Sequence, residues 1–423
     1  MEDKIYGLLG RKLGHSWSAP IHRALGCQDY RLIELEPEEL GDFLRREDIG
    51  GLNVTIPYKR DVMKFCDVID PAAEAIGSVN TLVRRGGKLY GYNTDIDGFL
   101  YMLRRVKISL AGKKVVILGS GGASLTAQAA ARQEGARAVV VLSHSDLDNC
   151  EFINHRDAEV LVNTTPVGMW PDLDGLSMNL RNLPSVADVV DVIYNPGRTS
   201  LLLQAEEMDG EPRYHRHFRW TGGLPMLVQQ AKRAEELFFD SSIPGEEAEK
   251  LIAQLWRDRT NLVLIGMPGS GKTTVGRALA RLSGKSLVDV DEEITRAAGK
   301  PIPEIFAQEG EEAFRMLENR ILKEVCAQSG RVIAAGGGVV LHMENWKTMR
   351  RTGWVYRLER RLEDLATEGR PLSRPGNLAK MEQTRGPLYR AAADAAVQND
   401  SSPEDAAAKI WRDFCENSGD KRP

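Results

Sequence analysis

The sequence predicts an α/β protein built on parallel sheets and divided into more than one domain. Two segments carry that fold class, KKVVILGSGGASLTAQAAARQEGA (113–136) and NLVLIGMPGSGKTTVGRALARLSGK (261–285). In each, a β-rich apolar run meets a glycine turn and then an Ala-rich helical stretch. That order opens a nucleotide-binding α/β unit, because the loop and the helix N-terminus turn backbone amides toward phosphate. Length is the third observation. A chain of 423 residues exceeds the ~250–300 residues at which single cores stop growing, so roughly two to four domains are expected. The two glycine turns differ in spacing and are not repeats, and two different nucleotide sites suggest two enzymes on one chain.

Composition narrows the class. With 42% apolar and 27% charged residues, the chain is neither disordered nor fibrous. The 56 Lys and Arg against 60 Asp and Glu give −4, so no overall field points to nucleic acid or anionic membrane. Five widely spaced cysteines without a CxxC pair suggest neither a disulfide framework nor a thiolate zinc site. The N-terminus MEDKIYGLLG lacks signal-peptide character and no run of 18 apolar residues exists. Cytoplasm is the expected compartment and small molecules are the expected partners. Monomer and homodimer both fit.

The elements follow in order. IYGLLG (5–10) and YRLIELE (30–36) read as strands, PEELGDFLRR (37–46) as a helix with Pro in its first turn, and GLNVTIP (51–57) as a strand closed by Pro. After the first glycine unit, AVVVLS (138–143), VLVNTTP (160–166) and VVDVIYN (189–195) read as buried parallel strands. GLPMLVQQAKRAEELFF (223–239) and GEEAEKLIAQLWRDR (245–259) have helical apolar spacing. The second runs almost directly into the strand at 261–265, with no Gly/Ser or Pro-rich linker near residue 258.

GMPGSGKT (266–273) matches the P-loop pattern in full. Gly269, Ser270, Gly271, Lys272, Thr273 and Thr274 are expected to hold nucleotide, with Lys272 reaching the β/γ-phosphates and the Thr273 hydroxyl on Mg²⁺. LVDVDEEI (287–294) reads as placing Asp289 and Asp291 on one side of a strand end. FRMLE (314–318) sets Arg315 and Glu318 within pairing reach on a helix. VIAAGGGVVL (332–341) brings backbone close to a ligand at Gly337 and Gly338. EGRPLSRPGNL (368–378) reads as an Arg-bearing lid with Arg370, and TRGPLY (384–389) adds Arg385. Over about 260–418 these motifs resemble the shikimate kinases. The resemblance implies that Asp289 meets Mg²⁺ through water and that Asp291 accepts a hydrogen bond from the reacting hydroxyl. It implies that Arg315, Arg385, Gly337 and Gly338 hold shikimate and that Arg370 closes over the ATP phosphates. Guanidinium forks suit a small carboxylate independently of the family. Taken singly, each Arg is equally a surface ion pair. Gluconate-type and nucleoside kinases compete, but the DxD, FRxxE and GGG set argues against them.

In the first half, Ser16 and Ser18 lie in GRKLGHSWSAPIH, Lys59 ends NVTIPYK, Asn80 lies in AIGSVNTL and Asp95 in GYNTDIDGF. NTTPVGM (163–169), DVIYNP (191–196) and GGLPMLVQQA (222–231) follow. These motifs resemble the shikimate dehydrogenases over nearly all of 1–258. The resemblance implies a catalytic Lys59–Asp95 pair, Ser16 and Ser18 on the substrate carboxylate, and Thr55, Asn80 and Gln230 on ring hydroxyls with Tyr194 nearby. Gly119, Ser120, Gly121, Gly122 and Ala123 would carry the dinucleotide phosphates. Thr164, Met169, Ile193 and Gly223 would line the cofactor. Read alone, Lys59 is a solvated charge, Asn80 a turn residue and Asp95 a helix cap. Where the family has an Asn-Arg-Thr-like segment for the 2′-phosphate, this chain has Ser143, His144 and Ser145. No acid stands at the strand end, although Asp146 follows soon after, so NADP(H) is the expected cofactor.

The expected architecture is a substrate lobe (1–101, completed by 223–258), a Rossmann-like dinucleotide lobe (102–222), a P-loop kinase domain (259–418) and a tail (419–423). Reduction of 3-dehydroshikimate and phosphorylation of shikimate with ATP and Mg²⁺ would then be consecutive steps. The rival readings are a ligand sensor built on these folds, or one live half and one dead half. A sensor would lack catalytic groups, yet Lys59, Asp95, Lys272, Thr273, Asp289 and Asp291 are all present.

Overall fold

A computed structural model describes residues 4–14, 16–209, 211, 217–365 and 375–417. Among the described residues, the strands form three sheets. The first contains β1 (Ile5–Gly10), β2 (Tyr30–Glu34), β3 (Ile49–Val54), β4 (Val68–Ile69), β5 (Thr81–Arg85) and β6 (Lys88–Tyr92) in the order β2-β1-β3-β5-β6-β4. β1 pairs in parallel with β2 and β3, whereas β3–β5 and β5–β6 are antiparallel. The β5–β6 hairpin turns at Gly86–Gly87, both at positive φ, the glycine pair that a tight hairpin favours.

The second sheet is β7 (Lys114–Leu118), β8 (Ala138–Leu142), β9 (Val160–Asn163), β10 (Asp188–Asp191) and β11 (Arg219–Thr221), all parallel, in the order β11-β10-β9-β7-β8. The third is β12 (Asn261–Ile265), β13 (Ser286–Asp289), β14 (Arg331–Ala334), β15 (Gly353–Glu359) and β16 (Ala395–Gln398), again all parallel, in the order β13-β14-β12-β15-β16. Both parallel sheets bury apolar side chains on two faces, as helices on both sides require. In each, strand order reverses beside the strand that feeds the glycine loop, β7 in one and β12 in the other. A crevice opens at the carboxyl ends of the strands at such a point.

Several elements are shorter than the sequence pattern suggests. The helix expected at 37–46 spans only Leu40–Leu44, because Pro37 and its neighbours form a turn closed by Glu39 N–H on the Glu36 carbonyl. β9 and β10 stop at Asn163 and Asp191, whose side chains fold back onto the following amides of Thr165 and Ile193. Such local bonds end a strand. Asp291 is not on a strand: β13 ends at Asp289, and Asp291 sits in the first turn of the helix Val290–Ala298.

The helices Asp95–Arg105 and Leu224–Phe239 cross where a Cβ on Gly98 would stand 2.5 Å from the Met226 carbonyl. The helix Gly245–Arg259 packs Ala248, Leu251, Ile252 and Leu255 against Trp17, Ile21, Val228 and Ala231. One residue, Thr260, separates it from β12.

Candidate active sites

The first site assembles from turns around the first sheet. Lys59 follows β3, with its carbonyl held by the Val79 amide at 2.9 Å. Its Nζ lies 2.6 Å from Asp95 Oδ2, and Asn80 Nδ2 donates to Asp95 Oδ1 at 2.8 Å. Asp95 is the first residue of its helix, buried at 7% exposure, and the cap position belongs to Thr94. The carboxylate therefore faces the lysine rather than capping the helix, while the helix N-terminus favours its charge. Behind it, Asn80 Oδ1 accepts from Thr94 N–H at 2.7 Å, and Thr81 Oγ1, Asn53 and the Tyr30 hydroxyl continue the buried chain. Composition and spacing did not reveal Thr94, Thr81, Asn53 or Tyr30 as supports. Asn53 and Thr81 lie on strands, and Thr94 precedes the helix that carries Asp95.

Ser16 and Ser18 are brought together, Oγ to Oγ at 3.0 Å. Thr55 is half-buried beside Gly10 at the start of the serine loop. Gln230 is buried and donates to the Leu227 carbonyl at 2.9 Å. The Tyr194 ring lies 5.0 Å from Trp17, and burial raises its hydroxyl pKa.

The dinucleotide loop faces this cluster. Gly119 has φ +96°, and a Cβ there would stand 3.0 Å from Thr164 Oγ1, so the loop needs glycine. The helix Gly122–Gln133 has no side-chain cap and no acid in its first turn, leaving amides for a pyrophosphate. Gly121, Ser120 and Ala123 lie within this turn. A Cβ on Gly122 would stand 3.7 Å from Lys59 Cδ, so the phosphate-binding helix begins beside the lysine. Gly223 N–H donates to the Ile193 carbonyl at 2.8 Å. Met169 sits on an exposed loop.

The segment expected at the 2′-phosphate, Ser143, His144 and Ser145, opens a short helix. Ser143 caps the short helix His144–Asp148 in a capping box. Asp146 Oδ2 accepts from Ser143 N–H and Ser143 Oγ, both at 2.7 Å, and Ser145 Oγ lies 2.8 Å from Ser143 Oγ. These bonds lower the Asp146 pKa. His144 pairs with Asp148 at 2.9 Å. An acid thus does reach the strand end, and neither serine hydroxyl is idle. Among these residues two hydroxyls and an imidazole stand beside Asp146, and no guanidinium is among them.

The second site surrounds the loop after β12. Lys272 Nζ donates to the carbonyls of Gly266 and Met267 at 2.9 and 3.1 Å, curling over the loop. The helix Lys272–Ser283, carrying Thr273 and Thr274, has Gly271 at its cap position and no side-chain cap. Asn399 Nδ2 donates to the Ser270 carbonyl at 2.7 Å, a loop support 129 residues away that no sequence pattern marked. Thr273 Oγ1 donates to Asp289 Oδ2 at 2.6 Å, while Asp289 Oδ1 accepts the Asp291 amide. Among the described residues no three His, Cys, Asp or Glu side chains could hold a metal. A hydroxyl and one carboxylate fit Mg²⁺, which keeps its waters and takes substrate phosphate oxygens.

The GGG turn collects the acceptor groups. A Cβ on Gly336 would stand 2.7 Å from Asp291 Oδ1, and one on Gly338 would stand 2.2 Å from Arg315 Nη1. Arg385 Nη1 donates to the Gly337 carbonyl at 3.0 Å, and the Tyr389 hydroxyl donates there too. Arg315 pairs with Glu318 at 2.7 Å and Glu311 at 3.2 Å. Its buried Nε has no hydrogen-bond partner among the described residues. Burial raises the Glu318 pKa, against the pull of Arg315. Arg370 and most of the expected lid lie outside the described residues.

Comparison with known proteins divides the chain in two. The family model for the shikimate dehydrogenase substrate binding domain matches residues 8–82, and that for shikimate kinase matches 268–415. The shikimate dehydrogenase (NADP(+)) of Clostridium beijerinckii is 34% identical over 269 residues, 59% of this chain and 96% of that protein. A chorismate mutase/shikimate 5-dehydrogenase fusion from Clostridium acetobutylicum is similar at TM-score 0.55 and 32% identity, over 60% of this chain and 97% of that one. Shikimate 5-dehydrogenase from Thermus thermophilus, solved with NADP(H) and shikimate, is similar at TM-score 0.51 and 29% identity, over 58% and 97%.

Proposed function

The chain belongs to the shikimate dehydrogenase family, and from that premise we propose a bifunctional enzyme that reduces 3-dehydroshikimate to shikimate and then phosphorylates shikimate at its 3-hydroxyl. The single observation that carries the first activity is the Asn80–Asp95–Lys59 chain set against the phosphate-binding helix. Negative charge grows on the ring oxygen as hydride reaches its carbon. Lys59 stabilises that charge and donates the proton, Asp95 aims Lys59, and Asn80 aims Asp95. Ser16 and Ser18 bind the substrate carboxylate, while Thr55 and Gln230 meet ring hydroxyls. The nicotinamide of NADP(H), when bound, supplies the hydride. A second reading, NAD(H), is favoured by Asp146 at the ribose subsite.

In the second half, Asp291 accepts the proton of the attacking hydroxyl, Lys272 stabilises the transferred phosphoryl group, and Arg315 and Arg385 orient the shikimate carboxylate at the GGG turn. Mg²⁺, held by Thr273 and Asp289, neutralises phosphate charge when bound. No helix of the described residues is long and apolar enough to cross a membrane.

The test is the purified chain assayed for shikimate oxidation, with NADP⁺ and NAD⁺ in parallel, and for ATP-dependent shikimate phosphorylation. Lys59→Ala should cost the first reaction about 10²–10⁴-fold and leave the second unchanged. Lys272→Ala should do the reverse. A chain that binds shikimate but turns over neither reaction would be the sensor instead.

A further inference from the structure

The P-loop unit touches both lobes of the dehydrogenase half. It is rooted on the substrate lobe through the helix Gly245–Arg259, whose C-terminal carbonyls at Arg257 and Asp258 accept from Lys285 Nζ at 2.7 and 3.0 Å. The Arg259 guanidinium stacks 4.9 Å from the Trp17 ring, between the two substrate-loop serines. On the dinucleotide lobe Glu206 pairs with Arg350 and Asp174 with Lys323, both at 2.9 Å, and Arg198 makes a group of bonds of its own. Its Nη1 and Nη2 fork the Asp394 carboxylate at 2.8 and 3.0 Å. Its Nε donates to the Arg350 carbonyl at 2.8 Å, Nη2 also reaches the Gly353 carbonyl, and its backbone amide donates to the Arg351 carbonyl at 3.1 Å. Asp394 is fully buried. Burial alone would raise its pKa, but Arg198 and Arg350 outweigh that and lower it.

Arg198 lies on the segment that carries Ile193 and Tyr194. Both ends of this segment are tied to Asp191, through the Ile193 amide at 3.0 Å and the Thr199 hydroxyl at 2.7 Å. Between those ends, Arg198 ties the segment to the P-loop unit through the fork on Asp394 and its bonds to the Arg350, Arg351 and Gly353 carbonyls, while the Tyr194 ring meets Trp17 of the substrate lobe. A cavity of about 110 Å³ lies along the junction, bounded among others by Trp17, Tyr194, Arg198 and Trp354. The segment is therefore not clamped by continuous apolar packing, and the directional fork sets its path.

From this geometry we propose that Arg198 is a positioning residue for the dehydrogenase site: its fork on Asp394 of the P-loop unit holds the 192–199 segment so that Ile193 and Tyr194 face the cleft. Dinucleotide affinity in one half then depends on a side chain of the other. The proposal rests on the dehydrogenase reading. Turnover of shikimate by the unaltered chain tests that reading, and the comparison among variants tests the proposal.

The experiment uses the full-length chain with Arg198→Lys, Arg198→Ala, Asp394→Asn and the Arg198→Ala/Asp394→Asn pair. Asp394→Asn keeps an oxygen for the Val355 amide, which the carboxylate now accepts at 2.8 Å. Arg198→Ala and Asp394→Asn should each raise the KM for the dinucleotide on the order of five- to tenfold with a smaller change in kcat, and the double variant should be no worse than the single ones. Arg198→Lys should fall between. Phosphorylation of shikimate and a thermal melt report whether each variant is folded. If Arg198→Ala does not fold, Asp394→Asn and Arg198→Lys decide the matter. A folded Asp394→Asn chain with an unaltered dinucleotide KM would overturn the proposal, as would effects of the two changes that simply multiply. A fork that only joined the two halves would lower the melting temperature without moving KM.

Discussion

The Lys59–Asp95 pair shows how far a residue's chemistry can be read without coordinates. Neither residue is distinctive alone, and 36 positions separate them. Family motifs named both; the fold explains the pair, because β3 delivers the lysine to the N-terminus of the helix that presents the aspartate. Asp146 shows the opposite case. Three residues past the strand end it looks remote, yet a capping box returns its carboxylate to Ser143. Asp146→Asn keeps an oxygen for that cap while removing the charge. It should lower the KM for NADP⁺ and raise that for NAD⁺, each several-fold, since a like charge near the 2′-phosphate and a charged acceptor for the ribose hydroxyl are lost together. Parallel assays with both dinucleotides check this. An equal effect on the two would place the ribose elsewhere.

At the scale of elements, α/β class and the strand–loop–helix units were legible because glycine turns punctuate apolar runs. Boundaries were less so. Asn163 and Asp191 end their strands with side-chain bonds that a hydropathy pattern does not register. The Asp289–Asp291 spacing suits a strand end or a helix cap, and Asp289 is both, ending β13 and capping the helix that carries Asp291. Asp191 carries a measurable consequence. Burial, the dominant influence, pushes its carboxyl up to about 6 despite bonds from Ile193, Thr199 and Asn163. A raised acid binds its proton more tightly folded than unfolded, so its stabilising contribution is full below its unfolded pKa and falls as pH rises through about 6. That is about 3 kcal/mol between acid and neutral pH. Asp191→Asn should remove this slope. Melts from pH 4 to pH 7 should therefore favour the variant increasingly as pH rises, and parallel curves would refute the assignment.

Across the whole molecule, contacts between the halves join residues as far apart as Arg198 and Asp394, and no local sequence pattern could announce them. Their burial predicts their worth. Asp174 pairs with Lys323 at 2.9 Å and with Arg351, but its side chain is 54% exposed. Asp174→Asn should therefore shift unfolding by no more than about 1 kcal/mol. Arg198→Ala takes the closest partner from a buried carboxylate, leaving it Arg350 at 3.4 Å and the Val355 amide, and should cost about 3 kcal/mol. Thermal unfolding of the two variants side by side would show whether that ranking holds.

The direct passage from the helix Gly245–Arg259 through Thr260 into β12 also makes the junction a matter of phase. Each helical residue advances the chain by about 1.5 Å and turns it by roughly 100°. One residue inserted there would swing the entire P-loop unit around the helix axis and carry Asp394 out of reach of Arg198. Seven inserted residues, close to two full turns, would nearly restore the azimuth while displacing the unit along the axis. The join between the two halves therefore behaves as an indexed shaft, sensitive to the number of residues in it as well as to their kind.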